Sequence, residues 1–150
     1  MRIALLVTLF ALTLVTAETT MAQDAQFPTL PKGAGTIDAN AAAAFQKSGK
    51  SKLQYRILRQ GAGQKPKATN TVKVHYHGWL DDGKVFDSSY QRGESIDFPL
   101  NQVIPGWTEG MQLVGQGGMI ELVIPSDLGY GKRGTPGGPI PPGATLHFLV

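Results

Sequence analysis

The chain has 150 residues, a net charge of +3 with both signs interspersed, and no cysteine. That length suits one domain plus an extension, and the missing cysteine excludes disulfides, thiolate catalysis and cysteine-held zinc. No basic run is longer than Lys132-Arg133, so the concentrated stripe of a nucleic-acid binder is lacking and no such partner is expected.

Hydrophobic residues make up 41% of the chain, enough for one core. Nineteen glycines and ten prolines, most of them after residue 60, point to a turn-rich, mainly β domain. Residues 1–22 read as a secretory signal: Arg2 is a minimal basic start, and Ile3 to Ala17 is an uncharged apolar run. Cleavage after Ala17 or after Ala22 fits the small-x-small rule, the second being preferred. The apolar run is shorter than the roughly 20 residues needed to span a bilayer. An uncleaved anchor is the competing reading; with cleavage, no membrane association is expected. Either way the folded part is expected outside the cytoplasm, periplasmic or secreted.

Residues 23–50 hold few large apolar groups and read as a flexible leader, with a short helical turn at Ala41 to Gln46. From Leu53 the pattern changes to alternation: Leu53, Tyr55 and Ile57 oppose Gln54, Arg56 and Leu58. Thr71 to Leu80 reads as one strand with Val72, Val74 and Tyr76 on one face and Lys73, His75 and His77 on the other. Asp82-Gly83 marks a hairpin turn. Val85–Ser89 and Ser95–Leu100 are further strands. Pro105 can open a helix, since its missing N–H costs nothing at the first helical position. That helix carries Trp107, Met111 and Leu113 and stops at Gly115–Gly118. Met119–Ile124 is an apolar strand interrupted by Glu121, residues 126–143 form a long Gly/Pro loop, and Thr145–Val150 is a last strand. Loops of that length in small domains are usually functional. The predicted class is α+β: an antiparallel sheet of about five strands curled around one short helix.

Ser88 and Ser89 lie beside Asp87, but no glycine-flanked nucleophile elbow occurs. His75 and His77 share a strand face without a third ligand, so no metal is assigned. Gly115-Gln116-Gly117-Gly118 precedes a strand and lacks the Gly-Lys-Ser/Thr of a phosphate loop. What remains is a concentration of rings from separate elements: Tyr76, Phe86, Phe98, Trp107, Tyr130 and Phe148, with Val103, Ile104 and Ile140 among them. A plain core would use most of these. Tyr130, however, sits in a Gly-rich loop, and Asp87 follows Phe86 inside an apolar stretch, where a carboxylate needs a partner.

Several segments resemble the FKBP-type peptidyl-prolyl isomerases, in order, over roughly residues 53–150. They are Val74-His75-Tyr76-His77-Gly78-Trp79-Leu80, Asp82-Gly83-Lys84-Val85-Phe86-Asp87-Ser88-Ser89, Phe98-Pro99-Leu100, Val103-Ile104-Pro105-Gly106-Trp107-Thr108-Glu109-Gly110, Tyr130-Gly131 and Ile140-Pro141-Pro142-Gly143-Ala144-Thr145-Leu146. The resemblance implies an isomerase domain over 51–150 that turns X-Pro bonds without a cofactor. It implies a pocket of Tyr76, Phe86, Asp87, Val103, Ile104, Trp107, Tyr130 and Phe148, with Trp107 as its floor and Phe98 and Ile140 at the rim. Ile104 would offer a backbone N–H and Tyr130 a phenol to substrate carbonyls; Asp87 would be held by Tyr76 and Arg92. Ile96 stands where some members carry an aromatic, and His77 where threonine is common. Expected partners are proline-containing segments of unfolded or exported proteins and macrolide inhibitors, with the protein a monomer or weak dimer. The competing function is a chaperone or binding module that holds unfolded chains with little isomerase activity.

Overall fold

The computed structural model describes residues 27–49 and 51–150. The signal expected over 1–22 lies outside them. No helix among the described residues is long and apolar enough to cross a membrane.

Eight strands are present among the described residues: β1 (Gln46–Lys47), β2 (Gln54–Arg59), β3 (Thr71–Val74), β4 (His77–Leu80), β5 (Val85–Ser88), β6 (Ile96–Pro99), β7 (Met119–Ile124) and β8 (Leu146–Leu149). Two short helices, α1 (Ser89–Arg92) and α2 (Pro105–Met111), interrupt them. Six strands form one antiparallel sheet in the order β1-β2-β7-β8-β4-β5, and β3 and β6 form a separate pair. The α+β class holds, with more strands than the five the sequence pattern suggests.

One of the additional strands has a local cause. The run Thr71–Leu80 does not stay one strand. At Tyr76 its backbone N–H donates to Ser89 Oγ at 2.7 Å, and its carbonyl accepts from the Ser89 N–H at 3.0 Å. Both ladder groups of Tyr76 are thus taken by the start of α1, so the chain leaves the β3–β6 pair and enters the main sheet as β4.

Helix α2 covers the inner face of the sheet. Pro105 occupies its first turn, and Trp107 N–H donates to the Ile104 carbonyl at 2.9 Å. Thr108 Oγ1 ties the first turn to the Leu100 carbonyl at 2.5 Å. Gly106 and Gly110 are the faces of α2 that meet β7. A Cβ on Gly106 would lie 2.5 Å from the Ile124 side chain, and one on Gly110 2.6 Å from Leu122. Around this contact Leu53, Leu100, Ile120, Leu122, Ile124 and Leu146 are wholly buried.

The outer face is covered too, and here the flexible leader needs correcting. Residues 27–49 lie against the sheet as a strap. Phe27, Leu30, Ala34 and Ile37 pack on Leu58, Met119 and Leu149. The Asp38 N–H donates to the Leu58 carbonyl at 2.8 Å, and β1 pairs with β2. Ala41 to Gln46 forms no helical turn; it bends and then enters β1. The reason is an electrostatic one that apolar counting misses. Arg56 and Glu121 face each other across β2 and β7, both buried, at 2.6 Å. A buried ion pair needs its remaining donors satisfied. The strap supplies the Ala43 carbonyl at 2.7 Å and the rings of Phe27 and Phe45, whose centroids lie 5.0 and 4.4 Å from the guanidinium carbon.

A methyl group between helix and sheet is the sharpest probe of this packing. Gly110→Ala is expected to lower unfolding stability by about 1–3 kcal/mol through overpacking against Leu122. Urea denaturation measures it, and an unchanged midpoint would refute the close helix–sheet contact.

Candidate active site

A cavity of about 800 Å³ opens between α2, β5, β6, β8 and the loop that follows β7. Trp107, on the first turn of α2, is 4% exposed and is ringed by edge-to-face contacts. Its ring centroid lies 5.3 Å from Phe148 at 84°, 5.5 Å from Tyr76 at 83° and 5.5 Å from Phe98 at 80°. Phe86 meets Phe148 at 5.4 Å and 84°. Each such pair adds about 0.5–1.5 kcal/mol beyond simple burial, so the rings are fixed in orientation. The Trp107 indole N–H is buried and meets no acceptor among the described residues.

Gly78 makes this cage possible. It sits on β4 opposite Asp87 on one side and Phe148 on the other. A Cβ there would stand 2.6 Å from Phe86 and 2.8 Å from Phe148. Only a bare backbone lets both rings lie over that point.

One wall of the cavity is polar. Tyr76 O–H donates to Asp87 Oδ2, Arg92 donates through Nη1 to Asp87 Oδ1, and Arg92 Nη2 donates to the Tyr76 phenol oxygen at 2.9 Å. Burial alone would raise the Asp87 carboxyl; the hydrogen bonds from Tyr76 and Arg92 outweigh it and hold the group below the ordinary carboxylate range. Burial, reinforced by the bond to the Asp87 carboxylate, raises the Tyr76 phenol. The three form a closed unit that is ionised at Asp87 and Arg92 at neutral pH. Asp87 is oriented and charged, with its proton acceptors already engaged. It suits positioning rather than proton transfer.

The loop from Pro125 to Thr145 is built, not loose. Gly131 N–H donates to the Ser126 carbonyl at 2.7 Å, Gly143 N–H to the Gly131 carbonyl at 3.0 Å, and Thr135 N–H to the Ile140 carbonyl at 2.9 Å. Ile140 N–H returns to Thr135 Oγ1 at 3.0 Å. Gly134 takes a φ of +60° with its α-carbon against the Ile140 carbonyl and Pro141, a place where a Cβ would come within 2.3 Å. This frame brings Ile140 to the cavity wall and leaves Tyr130 at its mouth, 43% exposed.

Every residue that the sequence singled out for the pocket lines this one cavity: Tyr76, Phe86, Asp87, Ile104, Trp107, Tyr130 and Phe148, and also Val103, Phe98, Arg92 and Ile140. Ile104 caps α2 from outside, and its own N–H makes no backbone hydrogen bond among the described residues. Sequence reasoning left out Gln102, Thr135 and Pro139 from the lining. Thr135 carries a hydroxyl in the middle of the Gly/Pro loop, a signal that could have been followed. His75 and His77 take no part: their Nδ1 atoms lie 3.1 Å from Ser89 Oγ and 3.0 Å from Ser88 Oγ.

A rigid aromatic cage with a fixed carboxylate and unengaged donors is a site with the shape and polarity to accommodate an apolar ring. Residues 62–150 match the family model described as FKBP-type peptidyl-prolyl cis-trans isomerase. The chain belongs to that family. It is 53% identical over 119 residues to an FKBP-type peptidyl-prolyl cis-trans isomerase, FkpA, of Aeromonas hydrophila, covering 79% of this chain and 44% of that protein. It is 49% identical over 100 residues to the outer membrane protein MIP of Legionella longbeachae, covering 67% of this chain and 42% of that one. The crystal structure of FkpA from Escherichia coli superposes with a TM-score of 0.65 at 41% identity, over 89% of this chain and 55% of that chain. The chain thus spans less than half the length of these two curated relatives.

The polar wall can be tested by titration. Carbon-detected NMR should show the Asp87 carboxyl titrating below the ordinary value of 3.8, and Arg92→Ala should move it upward. A carboxyl whose folded value is depressed contributes stability above its unfolded value and loses it as pH falls through the folded one. Because the carboxylate is two-fifths exposed, solvent screens that contribution and it stays small. A titration at or above the ordinary value would rule out the closed Tyr76–Asp87–Arg92 unit.

Proposed function

We propose that this chain accelerates cis–trans rotation at X-Pro bonds in exported polypeptides and so assists their folding. The observation that carries the reading is the ring cage over Trp107, closed on one side by the Tyr76–Asp87–Arg92 unit. A proline ring is an apolar disc that fits on the Trp107 face. Phe86, Phe98 and Phe148 would bound it, with Val103 and Ile140 excluding water.

Rotation about a peptide bond costs about 18–20 kcal/mol because resonance must be given up. No bond forms or breaks, so the site needs no nucleophile. A twisted amide has lost its conjugation and is less polar than the planar form. A dry apolar pocket therefore favours the twisted state over the planar one, and that difference is what lowers the barrier. In this reading the Ile104 N–H and the Tyr130 phenol, both at the cavity wall, would take the carbonyls flanking the proline. Such donors are already fixed before the substrate twists. Asp87 keeps Tyr76 in its rotamer and sets the field across the pocket. The apolar run at Ile3 to Ala17 supports export, and prolyl isomerisation is slow enough, on the order of 10–100 s, to limit folding outside the cytoplasm. A macrolide carrying a proline-like ring would compete for the same cage.

The test is exchange of an Ala-Leu-Pro-Phe peptide with catalytic amounts of folded protein. The full chain should accelerate it, and Trp107→Phe and Asp87→Asn should each cut kcat/KM by about tenfold or more while circular dichroism stays unchanged. Because Asp87 remains ionised well into acid, the rate should be flat between about pH 5 and pH 8. No acceleration by folded protein would sink the isomerase reading. Suppression of aggregation that survives Trp107→Phe, with isomerisation gone, would separate a holding activity from catalysis.

A further inference from the structure

Helix α2 carries the floor of the ring cage, and one of its side chains leaves the cage altogether. Trp107 and Glu109 are two residues apart, about 200° around a helix, so they project from nearly opposite sides of α2. Trp107 enters the cavity. Glu109 lines no part of it and reaches the turn between β1 and β2. There its Oε1 accepts from Ser48 Oγ at 2.5 Å and from Ser51 Oγ at 2.7 Å.

The turn that supplies these hydroxyls is itself fixed. Ser48 N–H donates to the Leu53 carbonyl at 2.9 Å, and Leu53 N–H donates to Ser51 Oγ at 3.1 Å. Leu53 is wholly buried in the main core, and Ser48 is buried as well. Through β1 the turn is continuous with the strap, which Arg56 holds on the outer face. Local helix energetics do not account for a carboxylate at Glu109. It lies in the last turn of α2, where the negative end of the helix disfavours an anion. Its stabilisation comes from the two hydroxyls, since hydrogen bonds to an ionised acceptor are the strong ones.

The tie has a consequence for the pocket. Trp107 stands on the first turn of α2 and Ile104 caps it, so the floor and the Ile104 N–H travel with the helix. Phe86, Phe148 and Tyr130 stand on β5, on β8 and on the loop after β7. A tilt of α2 shifts the first set against the second. A planar proline substrate needs only apolar area to bind. The twisted amide needs floor and donor in register, and a misplacement of about 1 Å can cost about a hundredfold in rate.

We propose that Glu109 is a positioning residue. Clamped by Ser48 and Ser51, it sets the tilt of α2 and so couples the strap to turnover at the cage. It acts through Trp107 and Ile104 rather than on the substrate. The kinetic half of the proposal rests on the isomerase reading; the mechanical half, that the clamp places Trp107, does not.

The test uses the full chain labelled with fluorotryptophan, whose two signals are assigned with Trp79→Phe. Peptide exchange kinetics and fluorine NMR are read on the same samples, at a temperature where circular dichroism shows each variant folded. Glu109→Ala should lower kcat by about fivefold or more, leave KM within about twofold, and shift the Trp107 signal but not that of Trp79. Glu109→Gln keeps an acceptor oxygen and should restore most of both readouts. Ser48→Ala with Ser51→Ala should reproduce Glu109→Ala without touching the helix, and combining all three should add nothing further. The serine pair carries the test alone if Glu109→Ala does not fold. The proposal is overturned if the serine pair leaves the Trp107 signal in place, if the loss falls on KM, or if the effects sum across the cycle. It is also overturned if Glu109→Gln is as impaired as Glu109→Ala. A folded wild-type chain that gives no acceleration counts against the isomerase reading alone, because the fluorine shifts still decide whether the clamp places Trp107.

Discussion

Everything in the site hangs on how closely α2 approaches β7. Gly106 and Gly110 let the helix backbone rest directly on Ile124 and Leu122, with no side chain of its own between. A helix of seven residues has little stability alone, since helices this short are marginal in water. It survives because its first turn is fixed three ways: Pro105 presets the backbone, Thr108 bonds the Leu100 carbonyl, and Trp107 is clamped among three rings. Lower on the helix, Glu109 Oε1 accepts from the hydroxyls of Ser48 and Ser51 at 2.5 and 2.7 Å. The depth of the floor is therefore set by glycines, and its tilt by contacts outside the pocket.

The second organising feature is that the two charges lining the cage, Asp87 and Arg92, neutralise each other there. A lone carboxylate beside Phe86 would be costly and would hold water in the pocket. Bound to both Tyr76 and Arg92, Asp87 keeps its charge without needing solvent on its inner side. The arrangement lets a polar wall and a dry floor share one cavity. It also explains why the arginine comes from α1. That helix starts where Ser89 captures the Tyr76 backbone, so the residue whose phenol Arg92 must reach is the residue that begins its helix.

Much of this was readable from residue types. The rings, the Asp87 between them, the proline-started helix and the long loop are local signals, and each occupies the place its type implies. Partial failures share one character: they depend on partners far away in the chain. Thr71–Leu80 alternates like a single strand, and nothing within it announces that Ser89 will take the ladder groups of Tyr76. Residues 27–49 are poor in large apolar groups, which is why they read as loose. Their attachment comes instead from carbonyls and rings that satisfy Arg56, an arginine whose burial is visible only once β2 and β7 are paired. Gly78 likewise reads as an ordinary strand glycine until Phe86 and Phe148 cross above it.

Tyr76 is where fold and site cannot be separated. Its backbone breaks the strand, its ring supports Trp107 and Phe98, and its hydroxyl holds Asp87. Phe86 differs: it is half-buried, meets Phe148 at one edge and belongs to a strand at the end of the sheet. A change at Phe86 alters the wall that a bound ring would touch and leaves the ladder intact. A change at Tyr76 alters the wall, the charge and the path of the chain together. The cage is thus graded, from a side chain on the sheet edge that can vary with what is bound to one at the strand break that the whole domain requires. Variation in what such a site accepts would be expected to enter through β5 and the loop bearing Tyr130, where the fewest other interactions constrain it.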